Sequence, residues 1–365
     1  MTRKVADLVG AMERIAPTAF AASWDNVGLL VGDPGAPLSR VLLTIDLTRA
    51  VLGEATSRAR SDAVVAYHPP IFAAQKRFLA GSPAFEAARS GVAVYSPHTA
   101  LDVSPGGTND VLADALEMRE RAPLRPAPAR DAELKLVTFV PPEHVEAVSR
   151  AVFEAGAGRI GNYSSCSFRA PGTGTFFGEE GASPVVGQAG RLEEAGEVRL
   201  ETVVPERRAE DVVRALRGAH PYEEPAFDLV RLAAAPSGLG LGRVGAVPRA
   251  ALGAVAERVK KALGGAHVLV AGALDRPIER AAVCAGSGGE LIGDALAAGA
   301  DLLLTGELRH HDALRAAEAG LAVICTRHST SERAALLPLA ERLARELSGV
   351  GVIVSREDRD PFVFA

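Results

Sequence analysis

The chain has 365 residues, 48% of them apolar and 23% charged, with a net charge of −5 at neutral pH. That length exceeds what one compact core holds and implies two or three domains, while the apolar content excludes a disordered protein. The acidic balance argues against a nucleic-acid binder working by phosphate neutralisation.

The N-terminal stretch carries Val5, Leu8, Val9, Met12 and Ile15 on one stripe, and Asp7 and Glu13 interrupt any signal-peptide core, so it reads as an amphipathic helix. Next comes the stretch Ser23 to Gly32, a short strand entered from a polar loop that carries the only tryptophan, Trp24. Strands are predicted at Val41 to Ile45, Ala63 to Ala66 and Val92 to Tyr95, with helices at Leu47 to Arg60, Pro83 to Ser90 and Thr108 to Glu117. Short apolar strands alternating with helices indicate a parallel or mixed sheet covered on both faces. A linker is expected from Arg121 to Pro128, where three prolines stop any helix.

The rhythm then changes. A strand at Leu134 to Val140, a helix at Pro142 to Gly156 and a glycine-rich strand pair, Ser164 to Phe168 with Gly174 to Phe177, come first. A strand at Val198 to Val204, a helix at Pro205 to Arg217 and a strand at Ala226 to Leu232 complete a β-α-β-β-α-β, ferredoxin-like order. A second linker, Ala233 to Gly238, returns the chain to α/β alternation. Helices at Arg249 to Leu263, Glu290 to Ala298 and Ser331 to Leu347 are predicted there. Strands are expected at Ala266 to Val270, Ala281 to Cys284, Asp301 to Thr305, Leu321 to Thr326 and Val350 to Ser355. The fold expected is therefore α/β: two related halves, residues 1–122 and 239–365, forming one metal-binding core, with an α+β domain at 131–233 inserted between them.

One unit occurs twice. Gly91-Val92-Ala93-Val94 leads to His98 and then Asp102; Gly320-Leu321-Ala322-Val323 leads to His328 and then Glu332. Imidazole with carboxylate suits borderline divalent ions, and ligands of open parallel sheets bind beyond the carboxyl ends of the strands. His68, His98, Asp102, Glu307, His328 and Glu332 all fall there. A single histidine after a strand is more often a hydrogen-bonded loop residue; the repetition favours a metal site. Glu332 also suits a helix start.

Cys284 and Cys325 read as buried small hydrophobes, and with Cys166 they show no C-x-x-C spacing, so no disulfide framework is expected. Gly286 and Gly288 lie in a turn whose amides would suit a phosphate or simply a tight bend. Of His310 and His311, one would reach the site. No apolar run approaches the ~20 residues of a membrane span, and a cytoplasmic protein without membrane or nucleic-acid partners is expected.

Together these motifs resemble the NIF-three-like dinuclear-metal proteins, homologs of type 2 GTP cyclohydrolase I. The carrying residues are Trp24-Asp25-Asn26-Val27-Gly28-Leu29, Tyr67-His68-Pro69-Pro70, Ser96-Pro97-His98-Thr99-Ala100-Leu101-Asp102, Thr305-Gly306-Glu307 and His328-Ser329-Thr330-Ser331-Glu332. Gly161 to Phe168 is similar to the CutA/PII-like insert of longer members. The resemblance implies a homohexamer, a trimer of dimers, with two divalent ions per subunit, zinc or iron. It implies His68, Asp102, His328 and Glu332 as ligands, and a site lined by His98. Tyr67 departs from it, standing where members usually have a histidine, so one ion is expected to be weakly held or absent. The expected activity is a metal-dependent hydrolase acting on a nucleotide, most concretely GTP ring opening. His98 or Glu307 would move protons, and Asn26, His311, Gly286 and Gly288 would contact substrate. The alternative is a non-catalytic metal-binding scaffold, sensor or store.

Overall fold

The computed structural model describes residues 2–127, 133–233, 238–265 and 267–363. Pro128 of the first expected linker, residue 131 at the expected insert boundary, most of the second linker, and Ala266 lie outside them. The chain divides into two compact units, one of Met1–Ala127 with Gly238–Ala365 and one of Pro128–Ser237.

In chain order the strands are β1 Gly28–Val31, β2 Arg40–Thr44, β3 Ala63–Ala66, β4 Ala93–Ser96 and β5 Arg119–Pro126, then β6 Glu133–Val140, β7 Ser167–Phe177, β8 Leu192–Pro205 and β9 Phe227–Arg231. The remainder are β10 Gly240–Ala251, β11 Leu269–Ala271, β12 Pro277–Ser287, β13 Leu302–Glu307, β14 Ala322–Cys325 and β15 Gly351–Val354. The first unit holds two sheets, ordered β1-β4-β3-β2-β15 and β11-β14-β13-β12-β10-β5. β15, β2, β3 and β4 run parallel, and so do β12, β13 and β14. Antiparallel strands close the remaining positions of each sheet. β3 and β4 are buried at every position, which is why they read as unbroken apolar runs.

The apolar stripe of helix Val5–Ile15 is buried, as its spacing predicts. Val5, Leu8, Met12 and Ile15 pack with Val41, Leu43, Val65 and Tyr95 on one face of the first sheet. Each such buried side chain contributes roughly 1.5–3 kcal/mol. Val51, Leu52, Ala55 and Ala87 cover the other face.

The two sheets exchange elements. β5 and helix Thr108–Ala115, from the N-terminal segment, join the second sheet and its core, where Leu112 packs with Val255 and Val283. β15 and helix Leu336–Glu346, from the C-terminal segment, join the first, where Leu339 and Leu343 pack with Leu8 and Val41. The stretch expected as a linker is thus largely strand β5: proline stops a helix but is tolerated on an edge strand, and Pro123 sits opposite Arg243 at the sheet's outer edge.

Other boundaries shift for local reasons. The helix expected from Arg249 begins at Leu252, because Gly240 to Ala251 forms β10. The helix expected from Leu47 is Arg49–Gly53 followed by a π-helical turn, Glu54–Arg58. The one expected from Ser331 is two helices, His328–Arg333 and Leu336–Glu346.

In the second unit β6, helix Val145–Glu154, β7, β8, helix Ala209–Ala219 and β9 follow one another, and the antiparallel sheet is ordered β7-β8-β6-β9. Val148, Val152, Val212 and Leu216 of the helices pack on Leu136, Val140, Leu200 and Val204 of the sheet. The expected glycine-rich strand pair is a single strand, β7, which keeps pairing with β8 through Pro171, Gly172 and Gly174. β7 is an edge strand, where proline and glycine cost least. Among the described residues no helix is long and apolar enough to cross a membrane.

Candidate metal centre

The carboxyl ends of the parallel strands meet at one place. Asp46 follows β2, Tyr67 and His68 follow β3, His98 follows β4, and His328 follows β14, while Gly286 and Glu307 lie at the ends of β12 and β13. His68, His328 and Glu332 converge so that one ligand atom of each lies within 4.8 Å of the others. Their Nε2 atoms face the carboxylate: His328 Nε2 is 3.1 Å from Glu332 Oε1, and His68 Nε2 is 3.4 Å from Oε2.

The far side of each ring is occupied. His68 Nδ1 is 2.9 Å from Asp46 Oδ1, and His328 Nδ1 is 3.1 Å from Glu307 Oε1. A carboxylate on Nδ1 fixes the proton there and presents Nε2 as the ligand nitrogen. Glu332 is 3% exposed, and its Oε2 is buried with no hydrogen-bond partner among the described residues. A buried carboxylate oxygen whose one near partner is the long 3.4 Å approach of His68 Nε2 is under-satisfied, and a cation between it and the two imidazoles would satisfy it. Two imidazole nitrogens with a carboxylate suit zinc or iron.

The charges are coupled. Burial pulls the His68 imidazole down, but its bonds to Asp46 and Glu332 outweigh this and raise it to about 10. The bond to Glu332 is the main reason that His328 rises to about 9. Burial pushes Glu332 up, yet His328 and His68 hold it below the usual carboxylate range. Asp46 is lowered chiefly by its bond to His68. In the metal-free protein this is a cluster of paired ions, and the imidazoles lose protons on taking a metal.

Asp102, the fourth expected ligand, is not part of the converging group. Its Oδ1 accepts from the Tyr67 hydroxyl at 2.6 Å and also from the Thr108 hydroxyl. Burial raises the Asp102 carboxyl, and the charge of Glu332 adds to this, so the two carboxylates lie within electrostatic reach. Burial also lifts Tyr67 well above the usual phenol range, followed by the charges of Asp102 and Glu332, so Tyr67 is a neutral donor.

His98 stands beside the cluster, its ring centroid 5.4 Å from that of His68. Its Nδ1 is 2.8 Å from Asp25 Oδ1, the same carboxylate-backed arrangement. His98 and Arg327 both have positive φ, 28° and 78°. Such strain is unusual outside glycine and clusters at functional sites; here it falls at the start of both His-x-x-x-acid helices.

The remaining expected residues are placed as follows. Glu307 holds His328 by Nδ1, which makes it an orienting group in this arrangement. Asn26 donates from Nδ2 to the Ile71 carbonyl at 2.6 Å. The Gly286 amide donates to Ser331 Oγ at 2.8 Å, so it is not open to a phosphate. A Cβ at Gly286 would lie 2.9 Å from Glu332 Oε1 at φ +64°, so the glycine makes room for the carboxylate instead. Gly288 packs over the Thr305 hydroxyl. His311 is exposed on helix His310–Glu318, its ring against His310. Asp46 and Asp25 carry no role in the sequence reading, although Asp46 obeys the same rule of position after a strand. A cleft of about 500 Å³ opens beside the triad, lined by Asp46, His68, Glu307 and His328 with Leu269 and Phe362.

Comparison with known proteins gives a consistent result. The family model for Duf34/NIF3 (NGG1p interacting factor 3) matches residues 3–361. A Bacillus subtilis protein named GTP cyclohydrolase 1 type 2 homolog is 37% identical, over 98% of this chain and 97% of its own. A Mycobacterium tuberculosis protein of the same name is 37% identical, over 91% and 89%. Among solved structures, a Bacillus cereus protein related to NIF3 is 34% identical with a TM-score of 0.68, covering 100% of both chains. Staphylococcus aureus SA1388 is 27% identical with a TM-score of 0.79, covering 100% of this chain and 99% of that one.

Proposed function

The chain belongs to the Duf34/NIF3 family, and on that premise we propose that it is a metal-dependent hydrolase acting on a nucleotide, with opening of the GTP purine ring as the most concrete case. The observation that carries this reading is the buried Oε2 of Glu332, which makes no hydrogen bond and meets only His68 Nε2 at 3.4 Å, between two imidazoles whose other nitrogens are already taken by carboxylates. The nucleotide comes from the names of the relatives.

His68, His328 and Glu332 hold the ion, and Asp46 and Glu307 set the ring orientations. A divalent cation bound there supplies Lewis acidity to water and to a substrate oxygen at neutral pH. His98, held at Nδ1 by Asp25, has no hydrogen-bond partner on Nε2 among the described residues and can move a proton there beside the cluster. Asp102 would hold a second ion, and hold it weakly, because Tyr67 contributes a neutral hydroxyl where the resemblance would put an imidazole.

A second reading, a metal-binding scaffold without turnover, is favoured by the same Tyr67–Asp102 bond, which occupies an expected ligand oxygen. Purified protein loaded with zinc or iron and given GTP separates the two: release of formate, abolished in Glu332→Gln, is the expected result. Metal uptake without turnover of GTP or of a model phosphoester would overturn the hydrolase.

The same proposal extends to assembly and architecture. The protein is a cytoplasmic homohexamer, a trimer of dimers. Its core derives from two related α/β halves, which the repeated His-x-x-x-acid unit at matching sheet ends supports. Residues 133–233 are a ferredoxin-like insert, supported by the order β7-β8-β6-β9.

A further inference from the structure

Two large aromatic side chains beside the histidines are turned outward. Trp24, the only tryptophan of the chain, is 62% exposed and Phe72 is 56% exposed. Their ring centroids lie 5.9 Å apart, and they stand 6.0 and 6.3 Å from that of His98. His98 is 5.4 Å from His68, which is 5.5 Å from His328. The rings therefore form one continuous row from solvent to the metal ligands.

Exposed apolar side chains are common and by themselves mean nothing. These two differ because the loops that carry them are pinned immediately alongside. Asp25, next to Trp24, has a fully buried carboxylate that accepts from His98 Nδ1 at 2.8 Å, from the Thr99 amide at 3.1 Å and from the Thr99 hydroxyl. Asn26 Nδ2 donates to the carbonyl of Ile71, the residue before Phe72, and so ties one loop to the other. The network fixes the backbone on both sides and leaves the rings in water. Ordered rings that keep their apolar surface exposed are already organised for a flat partner, which binds without a further cost of ordering them. Indole and phenyl faces carry no net charge, so they suit a heterocycle rather than a phosphate.

We propose that Trp24 and Phe72 form the stacking platform for the planar base of the substrate, with Asn26 as the positioning residue that joins the two loops. This rests on the nucleotide reading above and names the part of the nucleotide that this edge of the site selects. The platform adjoins His98, so a stacked base would bring its ring atoms, rather than its phosphates, toward the proposed proton carrier.

The single tryptophan makes the test direct. The full-length protein is titrated with GTP and, separately, with ribose 5-phosphate, following tryptophan emission, and affinities are measured in parallel by calorimetry. Saturable quenching by GTP but not by ribose 5-phosphate is expected. Trp24→Ala and Phe72→Ala should each weaken GTP binding about tenfold, with zinc affinity at the wild-type value as the check on folding. Asn26→Ala, which keeps both rings, should weaken GTP binding and be partly rescued by Asn26→Gln. GTP binding that leaves emission unchanged and survives Trp24→Ala would overturn the platform. So would emission shielded from acrylamide in free protein at all concentrations, since a second copy of the chain would then cover the ring. Quenching without hydrolysis would sink the hydrolase alone; hydrolysis indifferent to Trp24 would sink the platform alone.

Discussion

The hydroxyl of Tyr67 donates to Oδ1 of Asp102 at 2.6 Å, inside a site where both groups are buried. A carboxylate in that position needs its donors, because leaving it short of one exposes the cost of desolvation. Tyr67→Phe removes one of the two hydroxyls on Oδ1 and should destabilise the metal-free protein by about 1–3 kcal/mol, read from urea unfolding. Tyr67→His should instead raise the metal content per chain, measured by elemental analysis after dialysis. Equal metal content in wild type and Tyr67→His would count against Tyr67 as the cause of weak second-ion binding.

Asp46 and Glu307 play the same part on the two imidazoles but differ in surroundings: Glu307 is 56% exposed, and Asp46 also lies within range of Arg333 and His328. Loss of a carboxylate behind a metal-binding histidine typically costs about 10–100-fold in affinity. Asp46→Asn should therefore weaken zinc binding toward the upper end of that range and Glu307→Gln toward the lower, in competition against a chelator. The reverse order would mean that His328, not His68, depends more on its backing group.

The raised imidazoles give a pH signature. Their carboxylate partners push His68 up to about 10 and His328 up to about 9, both above the ordinary value of 6.5, so at pH 7.5 both carry the proton in metal-free protein. Zinc uptake at that pH should release about two protons, seen in calorimetry as a dependence on buffer ionisation enthalpy. Because the folded values are raised, these groups stabilise the metal-free fold fully below pH 6.5, and that contribution is lost as pH rises through about 9 and then about 10. Metal affinity changes the opposite way, increasing over the same window. Zinc binding with no proton release would show that the imidazoles are neutral beforehand.

Arg243 on β10 meets Asp110 through two nitrogens, at 2.7 and 3.1 Å, and is 5% exposed. It also donates to the carbonyls of Val103 and Ser104, the last residue and the C-cap of the helix that carries Asp102. Removing one partner of a buried pair typically costs about 3–5 kcal/mol. Arg243→Ala should show a loss of that order in chemical denaturation. An effect below 1 kcal/mol would mean that water replaces the guanidinium.

Much of the site is legible in the sequence because its residues obey position rules. Histidines just after apolar strands fall on one rim, and the four-residue spacing of His328 and Glu332 puts both on one face of a helix. What could not be read is which oxygen or nitrogen is already engaged. Asn26, Gly286 and Glu307 have the right residue types for substrate or proton work, yet each spends the relevant group on a neighbour far away in the chain. The edge strands are a similar case. β5 reads as a linker because its prolines rule out helix, while its pairing with β10 depends on contacts more than a hundred residues away.

The exchange of elements between the two sheets also governs how this polypeptide can be made. β2 stays without one of its parallel neighbours until residues 351–354 are synthesised, and the helix at Leu336–Glu346 that seals Leu8 and Val41 arrives only slightly earlier. The first sheet is therefore completed only once residue 354 has been synthesised, and a nascent chain stalled before residue 336 carries an unsealed apolar face that invites chaperones or aggregation.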